Sequence, residues 1–252
     1  MNRISSCFAG ELYDEFNYQA YWEKRKYENI AGKYALKTLL DKINLTSNKK
    51  LIDVGAGFGR LADVYGQKFK HATLVDPSIK NLEIAKKKLG TKGFTFTQST
   101  GSELPFENES FDVAVFVRVI HHLKDPRKVL EEINRVLEKD GWLILEFANK
   151  KHFKATLLDF HNKNDNLEPI DISDLDSSLP FKNYHPKWIE NLLRDIGFKI
   201  VKKLSVSNFR NPLIKKIVHY RILLAIEMVA QKALGIINFG PSIYVLAKRI
   251  DA

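Results

Sequence analysis

The stretch Leu51–Arg60, LIDVGAGFGR, constrains this chain more than any other. A short apolar run carries the acid Asp53, and glycines follow at Gly55, Gly57 and Gly59. Such a run reads as a buried strand that feeds a tight turn into a helix. Gly55 permits the turn. Gly57 has no Cβ, so a ligand can approach the backbone. Gly59 lets the next helix start close to the strand, and amides at a helix start favour a negative group. Ala56 belongs to the same loop.

The rest of the first 150 residues agrees with that beginning. KLIDV, ATLVD, FTFTQ, FDVAVFV and WLILEF read as strands. Helical patterns alternate with them, over Arg60–Phe69, from Ser78 as N-cap to Leu89, and over DPRKVLEEINRVLEKDG. In the last of these Val129, Ile133, Val136 and Leu137 share one face. Strand–helix alternation at this spacing predicts an α/β fold with a doubly wound, mostly parallel Rossmann-like sheet. Residues 11–42 read as helical and aromatic-rich. Residues 150–184 are polar and acidic, a loop or lid insertion. PKWIENLLRDIGF predicts a helix with Pro186 in its first turn, and KIVKKLSVSNF and SIYVLAKRI predict the last two strands. Residues 211–240 read as a helical, mostly apolar insertion between those strands.

A dinucleotide fingerprint places its third glycine at position 60, which here is Arg60. The second strand ends in Asp76, where an acid can accept hydrogen bonds from ribose hydroxyls. A nicotinamide dinucleotide also needs that acid, so Asp76 alone does not discriminate.

Together these motifs resemble those of class I S-adenosylmethionine-dependent methyltransferases. They are most similar to the small-molecule branch that includes the ubiquinone and menaquinone biosynthesis methyltransferases. The resemblance rests on LIDVGAGFGR, LVDPS, LPFENESFDVAVFVRVIHHLKDP and EEINRVLEKDGWLIL. It covers residues 45–148 well and 185–250 in outline. It implies seven strands with the last antiparallel, plus helical insertions, within one domain over residues 1–252. Residues 1–44 would form a lid, 45–148 the cofactor core, 149–184 an insertion or second lid, and 185–252 the closing helix and strands. It also implies S-adenosyl-L-methionine as cofactor. Asp53 and the glycine loop would hold its amino acid moiety, and Asp76 its ribose, with Pro77 and Ser78 alongside. The family often has an acid for the adenine before Leu-Pro-Phe. Here Thr100, Gly101 and Ser102 stand in that place, without charge.

In-line methyl transfer needs alignment, and a base only where the acceptor must lose a proton. His121 and His122, after the fourth strand, are the candidate bases; packing and solvation are the plainer account of both. Arg118 is a candidate contact to the cofactor or to an acidic acceptor. Trp22 and Arg25 are candidate substrate contacts whose ring and charge also suit the cofactor's sulfonium and carboxylate, with an amphipathic helix packed on the sheet as the plainer account. Asn149, Lys151, His152 and Tyr184 are candidate acceptor contacts, though a polar loop and a helix cap also explain them. No metal site is expected.

Composition narrows the partners. Cys7 is the single cysteine, which excludes an internal disulfide framework or a cysteine-based zinc cluster. Residues 1–10 carry one Arg and no apolar core, so no secretory signal is expected and the protein reads as cytoplasmic. The net charge of +10 suits an acidic substrate, a nucleic acid or an anionic membrane. Motifs for methylation of base amines, pyrimidine carbons or arginine are absent, which argues against nucleic acid and for a small-molecule or lipid-like acceptor. The insertion 211–240 is too apolar for a free surface helix, yet Lys215, Lys216, Arg221, Glu227 and Lys232 interrupt it. Packing within the chain, a homodimer and peripheral membrane contact are its three outlets. The competing functions are an NAD-dependent oxidoreductase and a non-catalytic cofactor-binding scaffold.

Overall fold

The computed structural model describes residue 14 and residues 17–158, 166–172 and 180–250. The expectations for residues 1–13 and for parts of the 149–184 insertion lie outside these. The chain begins with α1 (Tyr18–Glu23) and α2 (Lys26–Lys42), followed by β1 (Lys50–Val54), α3 (Ala62–Tyr65), β2 (His71–Asp76), α4 (Ile79–Leu89), β3 (Phe94–Gln98) and β4 (Phe111–Phe116). After a short 3₁₀ turn at Ile120–His122 come α5 (Pro126–Val136) and β5 (Leu137–Ala148). The insertion contributes α6 (Phe153–Leu158) and a small pair, β6 (Ile170–Asp171) with β7 (Lys182–Asn183). Then follow α7 (Pro186–Asp195), β8 (Phe198–Val206), α8 (Pro212–Ile217), α9 (Tyr220–Ile236) and β9 (Ser242–Arg249).

The seven-stranded sheet has the order β3-β2-β1-β4-β5-β9-β8. Pairs from β3 to β5 are parallel, and β9 runs antiparallel to both its neighbours. The doubly wound reading therefore holds, with the last strand reversed as expected. Chain direction reverses in strand order beside β1, between β2 and β4, and this opens the ligand crevice at the carboxyl edge. β1 and β4 are buried on both faces, which explains their unbroken apolar runs.

Three local expectations are refined for identifiable reasons. The helical stretch divides at Lys24–Arg25 into α1 and α2, because Arg25 leaves helical geometry (φ −119°, ψ 44°). The helix over Arg60–Phe69 shortens to α3, which is capped by Gly66. The helix over residues 125–141 stops at Val136, because Leu137 turns extended and pairs with Phe111. Ser78 does cap α4, its hydroxyl accepting from Asn81 N at 3.0 Å.

The insertion 211–240 is helical. It packs its inner face, Leu223, Leu224, Glu227, Gln231 and Gly235, against α2 and β8. Glu227 is fully buried and acts as a tie. It accepts from Tyr27 OH (2.7 Å), Ser207 N (2.7 Å) and Asn208 N (3.0 Å). Removing the carboxylate would leave these donors unpaired, and each buried orphan costs about 1–3 kcal/mol. Glu227→Ala is therefore expected to lose about 3 kcal/mol or more in urea unfolding, whereas Ile226→Ala on the outer face loses under ~1 kcal/mol.

Candidate functional site

The loop after β1 passes through Gly55, Gly57 and Gly59, all with positive φ. Their surroundings separate their roles. A Cβ on Gly55 would lie 2.3 Å from Val119, and one on Gly59 2.9 Å from Leu89. A Cβ on Gly57 would meet nothing within 4 Å. Packing thus requires the first and third glycines, while the second faces open space. The Gly55 and Ala56 amides are used on Val75 O, which pins the loop to β2.

Asp76 borders that open space at the end of β2. Gly57 N donates to its Oδ2 at 2.7 Å and Ser78 N to its Oδ1 at 3.0 Å. Burial pushes its carboxyl up to about 6, although the two amides oppose the rise. Each oxygen keeps lone-pair capacity for a further donor. Asp14 accepts from the Ser78 hydroxyl, so the N-terminal segment reaches this edge. Asp53 lies buried beneath the loop and accepts from Tyr65 OH at 2.8 Å. Burial pushes its carboxyl up to about 7, against the Tyr65 hydrogen bond and the Arg60 charge. The turn after β3 lies along the same edge, with the Thr100 and Ser102 hydroxyls 3.1 Å apart, and Pro77 O accepts from Gln98 Nε2.

Arg118 lines a second space, a cavity of about 280 Å³. The cavity lies over the ends of β5 and β8 and the start of β9, with Trp22 and Arg25 forming part of its wall. Arg118 is a non-glycine residue at φ +67°, a conformation that needs support. Glu146 of β5 supplies it, accepting from Arg118 N at 3.0 Å and pairing with Nη1 at 3.7 Å. The same fully buried carboxylate accepts from Ser242 Oγ at 2.6 Å.

Trp22, Arg25, Arg118, Asn149 and His152 come together around this cavity. Asn149 has a structural task there. Its amide donates to Asn238 O and Gly240 O, and its oxygen accepts from Lys151 N. Tyr184 is displaced from its expected place. It is fully buried in the core beside Ile120, its hydroxyl donating to Ile120 O, at the point where the backbone pairs Asn149 with Tyr184. The two histidines also stand off the cavity wall. His121 is fully buried, 4.4 Å from the Phe181 ring, and neither ring nitrogen has a hydrogen-bond partner. Burial, then the Arg118 and His122 charges, hold it well below the usual histidine range, so it is neutral. His122 places Nδ1 2.7 Å from Pro180 O, and burial lowers it too.

Sequence reasoning gave no role here to Glu146, Phe181, Arg210 or Tyr244, and read Arg60 only as a missing glycine. Glu146 did leave a signal, as the one acid inside the apolar run WLILEF. The others reach the cavity from distant segments.

The comparisons match this geometry. The family model described as a methyltransferase domain matches residues 52–145. The demethylmenaquinone methyltransferase of Chlamydia pneumoniae is 34% identical over 175 residues, covering 63% of this chain and 74% of that protein. The ubiquinone/menaquinone biosynthesis C-methyltransferase of Campylobacter jejuni is 28% identical, covering 74% of this chain and 81% of its own. A solved S-adenosylmethionine-dependent methyltransferase of Leishmania major shares the fold, with a TM-score of 0.68 at 12% identity, over 96% of this chain and 82% of that one. The matched segment runs from the glycine loop to β5, the part of the sheet that builds the ligand edge, and identity above 30% extends along most of a relative's length. On those grounds the chain belongs to the S-adenosylmethionine-dependent methyltransferase family.

Proposed function

We propose that this enzyme holds S-adenosylmethionine along the glycine-loop edge and passes its methyl group in line to a small, lipid-like aromatic acceptor in the neighbouring cavity. The observation that carries the reading is the open space at Gly57 beside the oriented Asp76 carboxylate. Asp76 would accept from the ribose hydroxyls. Asp53, the loop amides and Pro77 would border the amino acid and ribose portions, and Thr100, Gly101 and Ser102 the adenine. When bound, the cofactor supplies a methyl group on a sulfonium. The chain supplies alignment and exclusion of water, with residues 1–44 and 149–184 as the covering segments. The names of the relatives, demethylmenaquinone and ubiquinone/menaquinone biosynthesis methyltransferases, favour a quinone-type ring. The ring faces of Tyr21, Trp22, Phe181 and Tyr244 around the cavity suit a flat acceptor. Neither His121 nor His122 reaches the wall, so the reading assigns proton removal to no side chain.

Calorimetry with S-adenosylhomocysteine and with NAD tests the cofactor. Binding of the first alone is expected, and binding of NAD alone would sink the reading. The Asp76 carboxyl adds a pH signature. Above about pH 7 it is ionised and accepts from ribose hydroxyls; as pH falls through about 6 it protonates and loses acceptor strength. S-adenosylhomocysteine affinity should hold from pH 9 to 8 and weaken several-fold by pH 5, as Asp53 protonates through about 7 and Asp76 through about 6. A flat profile would remove Asp76 from the site.

We further propose that the outer face of residues 211–240 rests on an anionic lipid surface. Leu213, Ile217, Ile222, Ile226, Val229, Ile236 and Ile237 are all exposed there. Between residues 196 and 250 the sequence holds one acid, Glu227, and it is buried. The exposed charge on the segment is therefore positive, from Lys216, Arg221 and Lys232. Apolar side chains ringed by cations match a negatively charged bilayer face. Among the described residues no helix is long and apolar enough to cross a membrane.

A further inference from the structure

Four guanidinium groups line this cavity. Arg60 and Arg118 come from the core edge, Arg25 from the break between α1 and α2, and Arg210 from beyond β8. Arg60 lies 4.0 Å over the Trp22 ring, Arg118 lies 5.8 Å from the same ring, and Arg25 lies 4.4 Å over Tyr21. Three carboxylates stand near them, Glu28, Glu146 and, beside Arg60, Asp53, and one Glu28 oxygen is buried without a hydrogen-bond partner. Glu28 takes Lys215, and Glu146 takes the backbone and guanidinium of Arg118 together with Ser242.

Like charges gathered in a partly dewatered space repel, and aromatic faces offset only part of that. The arrangement becomes favourable once an anion enters. A cofactor carboxylate would satisfy one guanidinium, and the walls of this cavity include neither Gly57 nor Asp76. A neutral ring would leave the four guanidinium groups and Lys215 in excess over the three carboxylates. We infer that the acceptor carries an anionic group, a carboxylate or a phosphate, held on the acceptor side by Arg118 and Arg210. This rests on the methyltransferase reading of the adjacent edge, and it narrows the acceptor to an acidic aromatic compound.

Benzoate, phenyl phosphate and the neutral benzamide are suitable probes for calorimetry, with and without S-adenosylhomocysteine. At least one anion should bind tenfold or more tightly than benzamide, and comparison of the two anions identifies the preferred group. Arg210 is on the exposed rim, so Arg210→Gln should fold normally. It should remove most of the anion preference and leave S-adenosylhomocysteine affinity within threefold. Equal binding of benzamide and both anions, or no binding of either anion, overturns the inference. So does an Arg210→Gln variant that loses S-adenosylhomocysteine but keeps 5′-methylthioadenosine, since the guanidinium would then serve the cofactor carboxylate. Failure of the unaltered protein to bind S-adenosylhomocysteine would instead strike the cofactor reading, and titrations on the free protein would still score the anion site.

Discussion

Gly57→Val will show no measurable binding of S-adenosylhomocysteine by calorimetry, yet will unfold in one cooperative step. The two halves of that result have different origins. The Cβ of the new side chain has no protein atom within 4 Å, so the branch starts in open space. The fold therefore loses only the cost of a branched residue at φ +55°, about 1–2 kcal/mol. The space that the side chain fills is the space a ligand must enter, beside Asp76. Gly55→Val offers the contrast. Its Cβ would strike Val119 at 2.3 Å, so that variant should lose stability and binding together. If Gly57→Val binds normally, the open space is not the cofactor's, and the site must be sought elsewhere on the sheet edge.

The contrast between these glycines indicates how much the sequence alone could convey. The strand, the acid, the glycine spacing and the second-strand acid lie within one continuous stretch, Leu51–Asp76, and local rules suffice to place them. The cavity half is different. Trp22, Arg118, Phe181, Arg210 and Tyr244 come from five separate segments, and only the closing of the sheet by β9 between β5 and β8 brings them to one place. No spacing rule links them. Local rules also failed at the joints. The break at Arg25 and the short α3 depend on how α2 and the glycine loop seat on the core. Tyr184 looked like a residue beside a helix start, and it is buried where the backbone pairs Asn149 with Tyr184.

The insertion 211–240 illustrates the same limit, and carries the second large prediction. Its helix α9 is apolar on both faces, so periodicity could not tell inner from outer. Leu223 proves to be an inner residue, 3% exposed, whereas Ile222, Ile226 and Val229 are 56%, 48% and 82% exposed and follow one another at helical spacing. A surface test must therefore spare Leu223. Replacing Ile222, Ile226 and Val229 with Ser removes about 1 kcal/mol of burial each, taken as half the value of a fully buried aliphatic side chain. The three together should weaken membrane binding by roughly a hundredfold. In flotation assays the unaltered protein should rise with phosphatidylglycerol vesicles, less so at high salt, and remain behind with phosphatidylcholine. The triple variant should remain behind with both, while S-adenosylhomocysteine affinity stays within threefold, because α9 packs on α2 and β8 away from the glycine loop. A protein that never floats, but is dimeric until the three residues are replaced, would give this face to a second copy of the chain and end the membrane reading. A large loss of cofactor affinity in a folded triple variant would mean that the Tyr27–Glu227 tie transmits changes in α9 to the ligand edge through α2.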